Sequence, residues 1–212
     1  MSLFVTGTDT GVGKTFIAET ILRLARDAGL RCAGMKPICC GDRADAELLL
    51  AASSGGLTID EVNPVWLKTP AAPYAASLIE GLAVDPRQLV ARLQDLRQRF
   101  DFVVVEGVGG WLVPIRQNYF VSDLAAEMKL PVLVVAQNRL GCLNHTMLTI
   151  RGITSRGLTC AAVALNTFDP VADYASSTNA EVLRKIVDVP ILEGLAPGLT
   201  ELPANWRALI GV

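Results

Sequence analysis

Leu3-Phe4-Val5-Thr6-Gly7-Thr8-Asp9-Thr10-Gly11-Val12-Gly13-Lys14-Thr15, running straight into Phe16-Ile17-Ala18-Glu19-Thr20-Ile21-Leu22, is the stretch on which the fold turns. An apolar run, a glycine-rich turn, Lys-Thr and a helical pattern follow in the order that a phosphate-binding loop requires. Gly11 and Gly13 let backbone N–H groups converge on an anion without a Cβ in the way, and the helix N-terminus adds its partial positive charge. Lys14 then reaches the β- and γ-phosphates, and the Thr15 hydroxyl is placed to ligate Mg2+. The strict spacing G-x-x-x-x-G-K-[ST] puts glycine at position 8, where Thr8 stands, with Gly7 one residue earlier. The loop is therefore a variant. The bland alternative, a tight strand-to-helix turn with a surface lysine, does not account for the pattern on both sides.

Outward from this turn, short β-branched runs alternate with longer helical patterns. The runs are Leu3 to Thr6, Arg31 to Lys36, Phe102 to Val105, Pro131 to Ala136, Cys160 to Leu165 and Pro190 to Leu192. Helices are expected over about 14–28, 43–54, 85–98, 120–128, 142–156 and 173–187. Val103-Val104-Val105 and Val132-Leu133-Val134-Val135 are continuous rather than alternating, as in strands covered on both faces. The fold class is α/β: a mostly parallel central sheet flanked by helices on both faces. Repeats, low-complexity tracts and linkers are lacking, so residues 1–212 form one domain. Right-handed crossovers place the loops after strands along one sheet edge, where open α/β folds bind ligands. Asn63 to Gly81, with Pro64, Pro70 and Pro73, reads as the longest irregular connection, of the kind that covers a site.

Two further stretches reach that edge. Phe102-Val103-Val104-Val105-Glu106-Gly107-Val108-Gly109-Gly110-Trp111 is an apolar strand ending in an acid, then three glycines in four residues. Glu106 is placed to hold Mg2+, and the glycines let the chain pass close to a ligand. Met35-Lys36-Pro37 ends another strand and leads to Asp42 and Asp45 at the start of a helix, offering a cation for phosphate oxygens and an acid for a metal.

Composition narrows the partners. With 51% apolar and 19% charged residues in 212, the chain is long and apolar enough for a sizeable core. The net charge of −2 and the scattered basic residues show no footprint for nucleic acid. No apolar run approaches the roughly 20 residues that span a bilayer, and the N-terminus lacks a basic leader, so a cytoplasmic protein is expected. Five cysteines without C-x-x-C spacing suggest neither a zinc site nor a disulfide framework.

Taken together, these motifs resemble the dethiobiotin synthetase family of P-loop NTPase-like proteins. The matches are Val5-Thr6-Gly7-Thr8-Asp9-Thr10 with Val12-Gly13-Lys14-Thr15, Lys36-Pro37, Val105-Glu106-Gly107 with Gly109-Gly110, and Leu140-Gly141-Cys142-Leu143-Asn144-His145-Thr146-Met147-Leu148-Thr149. The last block separates this family from partitioning ATPases, which share the phosphate loop. The resemblance implies that 7,8-diaminopelargonate takes up CO2 as a carbamate, that the carbamate attacks the γ-phosphate of ATP, and that the second amine closes a ureido ring. It implies catalytic roles for Lys14, Lys36 and Thr10, and Mg2+ held by Thr15, Asp45 and Glu106. Nucleotide contacts fall to Gly11, Val12, Gly13, Lys14, Thr15, Phe16, Asp45, Glu106, Gly107, Val108 and Gly109. Asn166, Thr167, Pro197, Gly198 and Leu199 would flank the adenine. The substrate would meet Thr10, Lys36, Cys40, Gly109 and Gly110, with Leu143 and Asn144 reaching it from the partner chain of a homodimer. His145, the lone histidine, reads as a helix-start packing residue.

The chain departs from the family pattern in three places: Cys40 where a serine hydroxyl is usual, Tyr74 where histidine is frequent, and Gly11 where some members carry an acid. A thiol is the weaker hydrogen-bond donor. Three rival readings follow. A nucleotide-switch ATPase of the partitioning or division-site kind would carry a lysine near position 9, where Asp9 stands, and often a basic amphipathic tail, whereas Glu201 to Val212 contains one arginine, Arg207. An amidotransferase-type synthetase would need an added glutaminase domain. A protein that binds nucleotide without closing the ring is the third.

Overall fold

In chain order the first elements are β1 (Ser2–Gly7), α1 (Lys14–Asp27), β2 (Cys32–Met35), β3 (Ile38–Cys40), α2 (Ala44–Ala52), α3 (Ile59–Val62) and β4 (Val65–Leu67). Next come α4 (Pro73–Glu80), α5 (Pro86–Arg99), β5 (Phe102–Gly110), β6 (Pro114–Arg116), β7 (Tyr119–Phe120) and α6 (Val121–Met128). The chain continues through β8 (Val132–Gln137), α7 (Cys142–Ser155), β9 (Cys160–Asn166), α8 (Tyr174–Ile186), β10 (Ile191–Leu192) and α9 (Ala204–Arg207). The computed structural model describes residues 1–167, 174–193, 195, 197–207 and 209–210. Residue 173, the expected first residue of α8, lies outside these.

Six strands form one sheet in the order β10-β9-β8-β1-β5-β2, every neighbouring pair parallel. Successive side chains of a strand point to opposite faces, so the continuous apolar runs feed two cores at once. Phe4, Val103, Val105, Val132 and Val134 belong to one cluster, with Leu89 and Leu93 of α5, Leu124 of α6 and Ile153 of α7. Leu3, Val5, Val104, Leu133 and Val135 belong to the other, with Ile17 and Ile21 of α1, Leu49 of α2 and Trp206 of α9. Each fully buried Leu, Ile or Phe contributes about 1.5–3 kcal/mol. The phosphate-loop strand β1 sits between β5 and β8, deep in this double core.

The structure differs from the sequence expectation chiefly between 37 and 120. Asn63 to Gly81 is not irregular: it contains β4, which pairs with β3, and the helix α4. Its prolines read as breakers, yet Pro73 occupies the first turn of α4, where a missing N–H costs nothing, and Gly81 closes the helix at φ 64°. The Glu106 strand does not end at the acid either, since β5 runs on through Gly110 and pairs Gly110 with Gly7.

Trp111, just past β5, lies against Gly152 of α7. A Cβ on Gly152 would sit 2.7 Å from Trp111 Cδ1 and 2.9 Å from Nε1. The glycine thus makes room for the indole at the expense of helix propensity, about 1 kcal/mol. Gly152→Ala is expected to lose up to about 2 kcal/mol net, because forcing the buried indole aside costs roughly 1–3 kcal/mol against the helix propensity gained. The urea midpoint should fall accordingly; an unchanged or higher midpoint would show that the indole yields freely.

Candidate functional site

Helix α1 begins at Gly13, whose φ of 93° turns the chain into the helix with no side-chain cap on the first-turn N–H groups. Those groups, and the positive end of the helix, are available to an anion. Gly7 explains the shifted spacing of the loop. A Cβ there would lie 2.6 Å from the Asp9 carbonyl oxygen, 2.8 Å from Val12 Cγ2 and 3.0 Å from Lys14 Nζ. The close approach that demands glycine falls at Gly7, and Thr8 lies outside it.

Lys14 Nζ donates to the Asp9 carbonyl at 3.1 Å, folding over its own loop. Burial, with Lys36 nearby, lowers its pKa to about 8, against the opposing pull of Glu106, Asp45 and Asp9. Lys14 therefore loses its proton as pH rises through about 8, and a bound triphosphate would restore it. Nucleotide affinity is expected to weaken above pH 8, with net proton uptake on binding. Calorimetry in buffers of different ionisation enthalpy reads both; binding without proton uptake at pH 8.5 would contradict this.

Lys36, one residue past β2 and 3% exposed, meets two carboxylates. Its Nζ lies 2.7 Å from Asp45 Oδ2 and 2.6 Å from Glu106 Oε1, and the Thr15 hydroxyl donates to that same Glu106 oxygen at 2.8 Å. Burial works against the charge on Lys36, but Glu106 and Asp45 outweigh it and hold the ammonium form above its ordinary range. For Asp45, burial is likewise outweighed by the neighbouring Lys36 ammonium, so its pKa lies below the usual value. Glu106 is pushed up by burial, with Lys36 pulling the other way. Of the two acids by the start of α2, Asp45 pairs with Lys36, while Asp42 accepts from the Ala44 N–H at 3.1 Å and lines the same cavity as Asp45.

These residues line one cavity of about 650 Å3, shared by Thr10, Gly11, Gly13, Lys14, Thr15, Lys36, Cys40, Asp45, Glu106, Val108 and Gly109. Pro70 to Pro73, from the stretch expected to cover a site, form part of its wall. A second cavity of about 390 Å3 adjoins it through Thr10 and Val113, lined by Gly110, Trp111, Leu112, His145, Leu148 and Thr149 among others. Val12, Phe16, Gly107, Asn166, Thr167, Pro197, Gly198 and Leu199 line neither, nor do Leu143 and Asn144. Asn166 instead donates its amide to the Val12 carbonyl at 3.1 Å and so steadies the loop from β9.

Sequence reasoning passed over Asn63 and Arg43. Asn63, 1% exposed, donates from Nδ2 to the carbonyls of Lys36 and Val65, both at 2.8 Å, and accepts from Arg43 Nε at 3.0 Å. The available signal was the capping box Thr58–Glu61, which places a helix turn just before Asn63.

A strand, a glycine-rich turn under a folded lysine and an uncapped helix start, set centrally in a parallel sheet, define a P-loop nucleotide-binding protein. The model of the AAA domain matches residues 1–204. The septum site-determining protein MinD of Pyrococcus horikoshii, solved with Mg-ADP, superposes with a TM-score of 0.57 at 16% identity over 90% of this chain and 79% of that one. The signal recognition particle receptor FtsY of Elizabethkingia anophelis, solved with GDP, does so with 0.57 at 15% identity over 95% and 59%. Both likenesses concern the fold. In sequence, the chain is 44% identical to the ATP-dependent dethiobiotin synthetase BioD of Akkermansia muciniphila over 93% of this chain and 92% of that protein. It is 44% identical to the namesake of Aromatoleum aromaticum over 92% and 89%. The chain belongs to the ATP-dependent dethiobiotin synthetase family. Among the described residues no helix is long and apolar enough to cross a membrane.

Proposed function

We propose that this protein converts 7,8-diaminopelargonate, CO2 and ATP into dethiobiotin, ADP and phosphate, in the cytoplasm and as a homodimer. The observation that carries this reading is the gathering of Lys14, Lys36, Thr10 and the acids Asp45 and Glu106 around one cavity at the mouth of the phosphate loop. Lys14 and the N–H groups at the start of α1 bind the phosphates. Lys36 faces the carbamate and the transferring phosphoryl group, where negative charge gathers, and stabilises it by position and charge. Thr10, at the junction of the two cavities, orients the reacting amine. The apolar second cavity, walled by Trp111, Leu112 and Leu148, takes the substrate's hydrocarbon chain. The family resemblance assigns Leu143 and Asn144 to the partner's site.

Thr15, Asp45 and Glu106 offer one hydroxyl and two carboxylates, the hard oxygens that Mg2+ takes, and Glu106 Oε2 is buried without a hydrogen-bond partner. The set fits. Bound there, Mg2+ would supply charge neutralisation for the β- and γ-phosphates. Cys40 lines the cavity where the family usually offers serine, and its thiol, raised by burial to about 11, is present as a neutral weak donor.

Mass spectrometry of the product formed from diaminopelargonate, ATP, Mg2+ and labelled bicarbonate tests the reading. The parent protein is expected to yield labelled dethiobiotin and Lys36→Ala almost none. Undiminished product from Lys36→Ala would remove the role given to that residue. ATP hydrolysis that ignores the diamine and responds to DNA or lipid would favour a nucleotide switch.

A further inference from the structure

Lys36 and Asp45 face each other at 2.7 Å, yet they stand on separate elements: Lys36 just beyond β2, Asp45 in the first turn of α2. Nothing in β2 or α2 alone fixes that distance. The connection runs through buried Asn63 and half-buried Arg43. Asn63 holds the Lys36 carbonyl, and the Lys36 N–H donates to the Val62 carbonyl at 2.8 Å, so the Lys36 peptide is gripped from both sides by the 62–63 segment. Through Oδ1 the same asparagine accepts Arg43 Nε. Arg43 is the residue that enters α2, two positions before Asp45.

Arg43 is in turn immobilised. Its Nη2 donates to the carbonyls of Ile59 and Asn63 at 3.2 and 2.9 Å and to Asp60 Oδ1 at 2.9 Å. Its guanidinium lies 5.2 Å from the centre of the Trp66 ring, and the Trp66 indole N–H donates to the Gly41 carbonyl at 2.7 Å. A planar fork with several fixed donors suits such bracing as a lysine would not. A surface loop has no need of so complete a set of bonds on one buried amide.

From this geometry we infer that Arg43 and Asn63 are a positioning pair: they lock the strand end bearing Lys36 to the helix start bearing Asp45, and so set the register of the catalytic cluster. Neither touches the cavity, so both act through Lys36 and Asp45. The inference rests on the ring-closing reading for the reaction that it tunes. A displacement of about 1 Å at a reacting group lowers turnover by roughly a hundredfold.

Three variants test it, with the parent's dethiobiotin formation as the control for the reading itself. Asn63→Ala, Asn63→Asp and Arg43→Ala should each lower kcat about 10- to 100-fold. The KM for ATP should change less than about threefold, because the phosphate loop is held by other elements. Asn63→Asp retains the acceptor for Arg43 and loses the donor to the Lys36 carbonyl, so it separates positioning from folding even where Asn63→Ala is unstable. Added guanidinium ion should recover part of the lost kcat in Arg43→Ala, because a planar fork is what the site is shaped to hold, and none in Asn63→Asp. The inference is overturned by a folded Asn63→Asp with parental kcat, by equal losses in kcat and ATP KM, or by failure of guanidinium to act. A parent that makes no dethiobiotin would instead sink the reading on which it rests.

Discussion

Glu106→Gln is expected to make dethiobiotin about 100- to 1,000-fold more slowly than the parent, the scale of losing one preorganised electrostatic contact at a reacting centre. Glu106 Oε1 is the one atom that joins Thr15 to Lys36, at 2.8 and 2.6 Å. An amide oxygen keeps those contacts in shape and removes the charge, leaving the buried Lys36 ammonium with Asp45 as its remaining anion. The effect on folding goes the same way. Removing one member of a buried pair costs about 3–5 kcal/mol, since it strands the other charge. For Glu106→Ala that is roughly 6–20 °C in Tm, at 2–4 °C per kcal/mol for a chain of this length. A rate within threefold of the parent for Glu106→Gln, measured at saturating ATP and Mg2+, would take Glu106 out of the reaction.

Gly7→Ala should weaken ATP binding about 10- to 100-fold, while Gly11→Ala should weaken it far less. At Gly7 the added Cβ meets the backbone oxygen of Asp9 at 2.6 Å, and a backbone atom cannot swing away as a side-chain tip can. The Asp9 carbonyl is also the acceptor for Lys14 Nζ, so moving it moves the lysine proposed to grip the phosphates. Losing a charge-assisted contact of about 1.5–3 kcal/mol is worth roughly one to two orders of magnitude in affinity. At Gly11 a Cβ meets nothing within 4 Å, and the cost is the left-handed backbone at φ 74°, about 1–2 kcal/mol. Calorimetric titration with a non-hydrolysable ATP analogue compares the two. Parental affinity in Gly7→Ala would mean that the loop's close approach is not what the nucleotide needs.

The elements that could be read in the sequence are those whose signal is local. The longer sheet strands carry apolar runs, and the long helices carry a periodic face, so β1, β5, β8 and β9 lie within a residue or two of expectation at their starts. The short pieces β3, β4, β6 and β7 have two or three residues each and no period of their own. They exist because a partner strand satisfies their backbone groups, which a sequence pattern does not display. Helix α4 was hidden by Pro70 and Pro73, residues whose meaning depends on whether the chain stops or starts there.

The site divides along the same line. Residues 3 to 22 determined by themselves the order strand, phosphate-binding turn and helix start, because that order is written in a local pattern of apolar, glycine and helix-forming residues, although β5, β8 and β9 also hold the strand and the loop in place. The local pattern elsewhere marked Lys36 as a charge at a strand end, and Glu106 as an acid on a strand that runs on to Gly110. That Glu106 is fully buried, that Lys36 bridges it to Asp45 rather than Asp42, and that Asn63 and Arg43 hold the two together was decided only by tertiary packing. These bonds join residues 9 to 91 positions apart. Their strength comes from the exclusion of water by the whole sheet, and no single segment of the chain contains that information.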